Sequence, residues 1–309
     1  MSPWRLVLLM VWCAGAAWAQ EPPRAVPVSP RVWMVQGQSA LGSPANRNFI
    51  SNAAFIVTDD SVVVVDALGA PALADELLQE IRRVTRLPVR LAIVTHYHAD
   101  HVYGLQSLKA AGARIVAHRG AQAYLHSDTA AQRLAYSRQA LAPWIDERTR
   151  LVAADEWIDG ERHFEVGGVE LRVLPAGPAH TPEDLVIMLP GEGVLIAGDL
   201  VFRARVPFVG QADSAGWLAS LDHLIDMQPR VIVPGHGPPS RAPRADLELT
   251  RDYLRHLRHT MGEAARNLEP FEEAYARADW SKYATLPLFD AANRINAYNT
   301  YLLMERAAR

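Results

Sequence analysis

Short apolar runs alternate with amphipathic stretches along most of this chain. The run Val62–Val65 is wholly apolar and β-branched, which is typical of a strand that is buried on both faces. Residues 71–84 follow it with apolar side chains at a period of 3.6, which predicts a helix. A second buried strand at residues 89–94 and a short helix at residues 105–111 repeat this order. The pattern therefore predicts a sheet covered by helices in the first half of the chain.

The second half of the chain repeats the pattern in kind. Apolar runs at residues 185–189 and 194–196 are separated by Pro-Gly-Glu-Gly, which predicts a hairpin. Residues 217–227 have helical periodicity, and residues 231–233 indicate a last buried strand. The remaining residues, 242–309, have a mainly helical pattern.

These elements group into one domain with flanking segments. Two β-rich halves, each covered by helices, predict an α+β fold, a four-layer αββα sandwich with a helical C-terminal extension. We assign the domain to residues 32–240 and the extension, packed on the same domain, to residues 241–309. Four prolines in residues 20–31 indicate an extended leader into the fold.

The first twenty residues have the pattern of an export signal. One charge, Arg5, precedes an apolar run that ends in small residues at Ala17 and Ala19. The run is shorter than the roughly twenty residues that a membrane-spanning helix needs. We therefore predict a signal peptide over residues 1–19, cleaved after Ala19. This predicts a periplasmic or secreted protein with no stable membrane insertion after cleavage.

Composition narrows the class of function. The chain is 50% hydrophobic and 21% charged, which is typical of a globular protein with a sizeable core. Its 31 basic and 34 acidic residues give a net charge of -3, which does not favour a nucleic-acid partner. We expect a small-molecule substrate instead. The single cysteine, Cys13, excludes an intramolecular disulfide and a cysteine-based metal site.

Ligand-type side chains follow four of the apolar runs. The motif His-x-His-x-Asp-His occupies residues 96–101, directly after the predicted strand at 89–94. Three further runs lead to His180, Asp199 and His236. Imidazole and carboxylate are suitable ligands for Zn²⁺, and a strand end holds them more rigidly than a free loop. A metal site is therefore favoured over a polar surface loop that happens to contain histidines.

This order of ligands resembles the metallo-β-lactamase-fold hydrolase superfamily over roughly residues 32–240. The resemblance implies two zinc ions per chain. It implies one zinc on His96, His98 and His180, a second on Asp100, His101 and His236, and Asp199 as the bridge between them. It also implies that Asp66 orients the histidine loop. The activity it implies is hydrolysis, in which a metal-bound hydroxide, oriented by Asp100, attacks the acyl carbon of an ester, thioester, lactone or lactam.

The resemblance leaves the substrate open. β-Lactamases of this superfamily carry Cys or Ser where Asp199 stands, whereas the bridging carboxylate is similar to the glyoxalase II type of site. An imidazole at His98 favours zinc over the di-iron relatives, which carry a carboxylate there. The sequence around Asn52, His180 and Asp199 resembles exported SoxH-like and quinoprotein relay metallohydrolases. A β-lactamase, and a weakly catalytic or non-catalytic accessory protein of periplasmic sulfur or quinoprotein metabolism, are the alternatives.

Other side chains are candidates for substrate contacts. Arg203 and Arg205 follow Asp199 closely and could bind a substrate carboxylate or sulfonate, or could be solvated loop arginines. Trp217 is a candidate wall of the substrate site, with core packing as the alternative. Asn296 and Asn299, on the last predicted helix, are candidates to reach the same cleft.

Overall fold

The computed structural model describes residues 22–308. The predicted signal peptide, residues 1–19, lies outside this range. Within the described range, none of the helices is both long and apolar enough to cross a membrane.

Seven strands form the first sheet, in chain order from one edge to the other. They are β1 (Ala25–Pro27), β2 (Val32–Val35), β3 (Ala53–Val57), β4 (Val62–Val65), β5 (Val89–Ile93), β6 (Arg114–His118) and β7 (Glu156–Ile158). The pairs from β1 to β4 are antiparallel and those from β4 to β7 are parallel. Since β1 belongs to the proline-rich stretch, part of that leader is a strand of the sheet.

Five strands form the second sheet, in the order β12-β11-β10-β9-β8. They are β8 (Arg162–Val166), β9 (Val169–Pro175), β10 (Leu185–Leu189), β11 (Val194–Phe202) and β12 (Val231–His236). β11 and β12 are parallel, and the other neighbours are antiparallel.

The helices lie on the outer faces of the two sheets. They are α1 (Pro71–Val84), α2 (Ala99–Val102), α3 (Leu105–Ala110), α4 (Ala121–Leu125), α5 (Asp128–Ala140), α6 (Ser214–Asp226), α7 (Pro243–Arg266), α8 (Phe271–Arg277) and α9 (Phe289–Ala308). Helix α1 covers the first sheet, whereas α6 and α7 cover the second. The predicted helical C-terminal region is confirmed as α7 to α9.

Alternation along β4 shows how the four layers are held together. Val63 and Val65 point into the core between the sheets, where they meet side chains of the second sheet such as Ile187. Val62 and Val64 point the other way, into the core shared with α1. A strand with apolar side chains on both faces is thus buried between a sheet and a helix layer. The predicted α+β four-layer sandwich is confirmed.

Two strand boundaries differ from the sequence pattern, and both affect the site. The sequence pattern at residues 49–57 predicts one further strand, but β3 begins only at Ala53, because the residues before it form a loop. Strand β11 continues past Ile196 to Phe202, so Asp199 lies within this strand and does not follow its end. Gly198, at a φ of +51°, interrupts the register with β12 at this point. A Cβ there would lie 2.9 Å from Thr95.

Candidate metal centre

The candidate ligands lie where strand ends of both sheets meet. Strand β5 leads into the loop and helix α2 that carry the His-x-His-x-Asp-His motif, whereas β11, β12 and the β9–β10 loop carry the other three ligands. One group contains His96, His98, His180 and Asp199, and the other contains Asp100, His101 and His236. Within each group, one ligand atom per residue lies within 4.8 Å of the others. The structure thus brings together all seven residues that the resemblance suggests.

Asp199 lies between the two groups. Its Oδ2 atom is 3.4 Å from Nε2 of His180 in the first group and 3.3 Å from Nε2 of His236 in the second. Its Oδ1 atom is 3.2 Å from Nε2 of His101. This carboxylate therefore faces both groups, as a bridging ligand of a two-metal site does.

Several buried atoms at this point have no hydrogen-bond partner. They include Nε2 of His96, Nε2 of His101 and Oδ1 of Asp199. A buried polar atom without a partner costs about 1–3 kcal/mol. Because these atoms converge on the two groups, cations bound there would satisfy them. The donor set of imidazole nitrogens and carboxylate oxygens fits zinc.

The carboxylate of Asp66 orients two of the histidines. Its Oδ2 accepts hydrogen bonds from the hydroxyl of Thr95 at 2.7 Å and from Nδ1 of His101 at 2.8 Å. The Thr95 oxygen lies 3.0 Å from Nδ1 of His96, and since its proton goes to Asp66, it accepts from this nitrogen. When these imidazoles are neutral, each therefore has its lone pair on Nε2, which faces the site.

Other buried polar residues hold the remaining ligand loops. Nδ1 of His236 donates to the carbonyl oxygen of Ile50 at 2.7 Å, which leaves its Nε2 free. The amide of Asn52 donates to the carbonyl oxygens of Pro234 and Gly237, at 2.7 and 2.8 Å, and so fixes the loop around His236.

The loop that carries His180 is fixed by a carboxylate. Asp184 accepts hydrogen bonds from the backbone N–H and the hydroxyl of Thr181, at 2.7 and 2.8 Å. No role is predicted from the sequence for Thr95, Asn52 or Asp184. Their one signal in the sequence is that each is a polar residue beside an apolar run and close to a ligand or to its loop.

Two of the predicted substrate contacts, Arg203 and Trp217, are engaged within the fold. Arg203 donates through Nε to Asp246 at 2.9 Å, so its guanidinium group is held at the start of α7. Trp217 is fully buried behind His180, with ring centroids 5.2 Å apart, and its Nε1 donates to the carbonyl oxygen of Leu200. The structure thus places Arg203 against α7 and Trp217 against the ring of His180, and a contact of either side chain with substrate stays a prediction.

Arg205 is placed differently from Arg203. It is buried, it lies over the ring of Phe202, and its Nη1 atom is 3.3 Å from Nδ1 of His236. Because Nδ1 of His236 already donates to a carbonyl, this is a packing contact beside the ligand. Arg205 thus packs beside the second group, and a direct contact of this arginine with substrate stays a prediction.

The candidate ligand histidines differ in pKa and therefore in charge near pH 7. Burial lowers the pKa of His98 to about 3 and that of His180 to about 4, so both are neutral near pH 7. Burial alone would also lower the pKa of His101 and His236. The carboxylates of Asp199 and Asp100 outweigh burial there and hold both pKa values above the usual range.

Zinc binding to the metal-free chain is expected to release protons near neutral pH. With their pKa raised, His101 and His236 are charged in the folded chain, and ligation requires the neutral imidazole. These ion pairs stabilise the metal-free fold fully below about pH 6.5 and are lost as pH rises through the raised pKa. Calorimetric zinc titrations in two buffers of different ionisation enthalpy measure the release. A heat that is independent of the buffer would contradict this expectation.

A cavity of about 580 Å³ opens beside the first ligand group, next to His98 and His180. Helices α4 and α5 form one wall, and the segment after β11 forms another with Phe208 and Gln211. The C-terminal helix α9 also reaches the cavity, through Asn299. Asn299 thus lies at the cavity as expected, whereas Asn296 does not, because it is buried and its amide is held by hydrogen bonds within the fold. A concave site of this kind suits a small molecule.

Comparison with known proteins identifies the class of this fold and site. Residues 46–236 match the family model of the metallo-beta-lactamase superfamily, and the chain belongs to this family. It is 24% identical over 238 residues to a metallo-beta-lactamase type 2 from Elizabethkingia meningoseptica, a match that covers 75% of this chain and 87% of that protein. It is also 24% identical over 237 residues to a linear primary-alkylsulfatase from Pseudomonas sp. (strain ATCC 19151). The second match covers 65% of this chain and 45% of the alkylsulfatase.

Solved structures show the same fold. A metallo-beta-lactamase from Pontibacter korlensis superposes with a TM-score of 0.62 at 21% identity, over 75% of this chain and 99% of that one. The sec-alkylsulfatase Pisa1 from Pseudomonas sp. superposes with a TM-score of 0.69 at 20% identity. That superposition covers 91% of this chain and 50% of the sulfatase. The chain is thus a metallo-beta-lactamase superfamily hydrolase with a candidate metal site.

Proposed function

We propose that this chain binds two zinc ions and hydrolyses an ester, thioester, lactone or lactam. The observation that carries the proposal is the position of Asp199, whose two oxygens face both ligand groups within 3.4 Å. A carboxylate shared in this way suits a pair of metal ions better than a single ion. The matched relatives are named as hydrolases, which supports the same class of reaction.

The two groups divide the ligands between the proposed ions. His96, His98 and His180 would hold one zinc, Asp100, His101 and His236 would hold the other, and Asp199 would contact both. Zinc in such a site supplies a Lewis acid and lowers the pKa of a bound water toward neutrality.

Of the two candidate ligand carboxylates, Asp100 is the more exposed. We therefore assign to Asp100 the role of orienting water. Its side chain is 17% exposed, whereas that of Asp199 is 4% exposed. Burial would raise the pKa of Asp100, but His101 and His236 outweigh this and hold it below the usual range. Asp100 is therefore ionised at neutral pH and would be able to accept a hydrogen bond from a bound water.

Two further activities follow from specific observations. β-Lactam hydrolysis is a candidate because relatives named metallo-beta-lactamase type 2 match 75% and 67% of the chain. Sulfate esters are a candidate substrate because two similar proteins are named as alkylsulfatases. The alternative of an accessory protein with little or no catalysis requires only that zinc binds.

A substrate panel tests the proposal. Chromogenic esters, thioesters, lactones, the β-lactam nitrocefin and sulfate esters are assayed with zinc, after chelation, and after zinc is added back. We expect turnover of at least one acyl substrate that chelation abolishes and zinc restores. Turnover confined to nitrocefin would make the chain a β-lactamase, and turnover confined to sulfate esters a sulfatase. No turnover by a zinc-loaded chain would favour the accessory alternative and contradict the hydrolase proposal.

Export is part of the proposal. The apolar run after Arg5 and the small residues at Ala17 and Ala19 support cleavage after Ala19 and a periplasmic or secreted location, and the SoxH-like or quinoprotein relay subgroup fits such a location. Fractionation followed by N-terminal sequencing tests it. A mature protein in the periplasm that begins at Gln20 is expected, and an intact N-terminus in the cytoplasm would contradict it.

A further inference from the structure

Arg133, on helix α5, lines the cavity beside His98 and His180. Within residues 22–308 it is exposed and has neither an ion pair nor a hydrogen bond. Arg203, in contrast, is paired with Asp246, and Arg205 is buried against Phe202. Of these three arginines, Arg133 is therefore the one that is free to meet a substrate. It lies in the first half of the chain, and not among the residues after Asp199.

The rest of the cavity wall leaves this charge unmatched. Glu183 is the carboxyl group on the wall, and it is buried and directed at the backbone N–H of Tyr97. Burial raises the pKa of Glu183, so its surroundings oppose its charged form. Gln211 and Asn299 on the opposite walls are neutral.

The charge of Arg133 affects the pKa of Tyr124, which also lines the cavity. This tyrosine, on α4, lines the same cavity as the arginine and Glu183. Burial raises the pKa of its hydroxyl group, the charge of Arg133 opposes that rise, and Glu183 adds to it. The guanidinium group thus acts on the cavity and not only on bulk solvent.

The proposed metal centre would add to the positive potential at one end of the cavity. Its ligand set contains two carboxylates, those of Asp100 and Asp199, so a pair of zinc ions held there has a net positive charge. A negatively charged molecule would therefore be attracted along the whole cavity.

We propose that Arg133 binds a carboxylate or similar oxyanion on the substrate, remote from the bond that is cleaved. The inference rests on the proposed function for the position of that bond at the metal centre. A guanidinium group binds a carboxylate through two parallel hydrogen bonds, and the interaction is strengthened where water is partly excluded. The substrate class would then be anionic acyl compounds, with the scissile group at the ligands and the anion at helix α5.

Binding of a matched pair of stable amides tests the assignment without catalysis. The pair is the mono-4-nitroanilide of adipic acid and hexanoic 4-nitroanilide, which differ in a terminal carboxylate. The zinc-loaded full chain is expected to bind the carboxylated amide at least about tenfold more tightly, as hydrogen bonds to a charged group provide. R133M should abolish this preference, and R133K should retain part of it.

A matched control separates the role of Arg133 from a general loss of charge. Arg82 is an exposed arginine on α1 that, within the described residues, has no ion pair and does not line the cavity. R82M should keep the preference of the wild-type chain. No preference in the wild-type chain, no binding of the carboxylated amide, or a preference that persists in R133M would each overturn the assignment.

Kinetics with the corresponding 4-nitrophenyl esters separate this inference from the proposed function. The ratio of kcat/KM for the adipate ester over the hexanoate ester is expected to fall at least about tenfold in R133M and to recover partly in R133K. If the amide preference depends on Arg133 while neither these esters nor any acyl substrate of the panel is hydrolysed, the acyl-hydrolase proposal fails and the anion site stands. If both esters are hydrolysed without a charge preference, the anion site fails and the hydrolase proposal stands.

Discussion

Replacement of Asp199 by asparagine is expected to lower kcat/KM by about 10³-fold and to reduce the zinc content at both ligand groups. The carboxylate lies between Nε2 of His180 and Nε2 of His236, so its loss affects both proposed ions at once. Metal-ion catalysis contributes several kcal/mol, and each ~1.36 kcal/mol is a tenfold change in rate. The neutral amide presents one oxygen instead of two and supplies no negative charge. Steady-state kinetics and elemental analysis of the same preparation measure both effects.

A matched variant shows whether the effect is specific. Asp226 is an exposed carboxylate at the end of α6, in the same half of the chain, and D226N should keep full activity and zinc content. Wild-type zinc content and activity in D199N would show that this carboxylate is not a ligand.

Replacement of Gly235 by alanine is expected to displace the carboxylate of Asp199 from its position between the two ligand groups by steric overlap alone. A Cβ at this residue would overlap Oδ1 of Asp199 and would lie 2.7 Å from the carbonyl carbon of Gly198. Since the second contact is with backbone, a rotation of the Asp199 side chain cannot relieve it. We expect zinc loss at both groups and a decrease in the free energy of unfolding of about 1–3 kcal/mol, as for overpacked cores.

The chain offers a control with the same change in a different place. A Cβ at Gly191, in the turn between β10 and β11, would have no atom within 4 Å. G191A should therefore match the wild-type chain in zinc content and in denaturant unfolding. G235A with normal zinc content would contradict the close packing of β12 against Asp199.

The fold could be predicted from the sequence because most of its strands are short and almost wholly apolar. A run such as Val62–Val65 can only be buried on both faces, and the helix at Pro71–Val84 has a clear period, so the layers follow. Strands β7 and β8 were missed because β7 has only three residues and β8 has exposed side chains at three of its five positions. The extent of β11 was also missed, since Gly198 and Asp199 interrupt its apolar pattern although the backbone continues to Phe202.

The candidate ligands could be predicted because the resemblance depends on short motifs that directly follow apolar runs. The residues that orient them were not, because their contacts connect distant parts of the chain. Asn52 is 182 residues away from Pro234, whose carbonyl oxygen it holds, and no local pattern encodes that contact. Thr95 was passed over because a threonine at a strand end is common, and only its position between Asp66 and His96 gives it a role.

The side chains that contact a substrate were the hardest part of the site to predict from the sequence. Closeness to Asp199 in sequence suggested Arg203, but the direction of a side chain depends on the path of the backbone after β11. That path points Arg203 toward Asp246 in α7. Arg133 is distant from every ligand in sequence, and only the packing of α5 beside the first ligand group brings it to the cavity.

The most direct measurement of the two-metal centre is a crystal structure of the zinc-loaded chain with anomalous scattering at the zinc edge. Two peaks are expected, one surrounded by His96, His98 and His180, the other by Asp100, His101 and His236, with Asp199 in contact with both. A single peak, or peaks away from these side chains, would contradict the dinuclear site and with it the proposed hydrolysis.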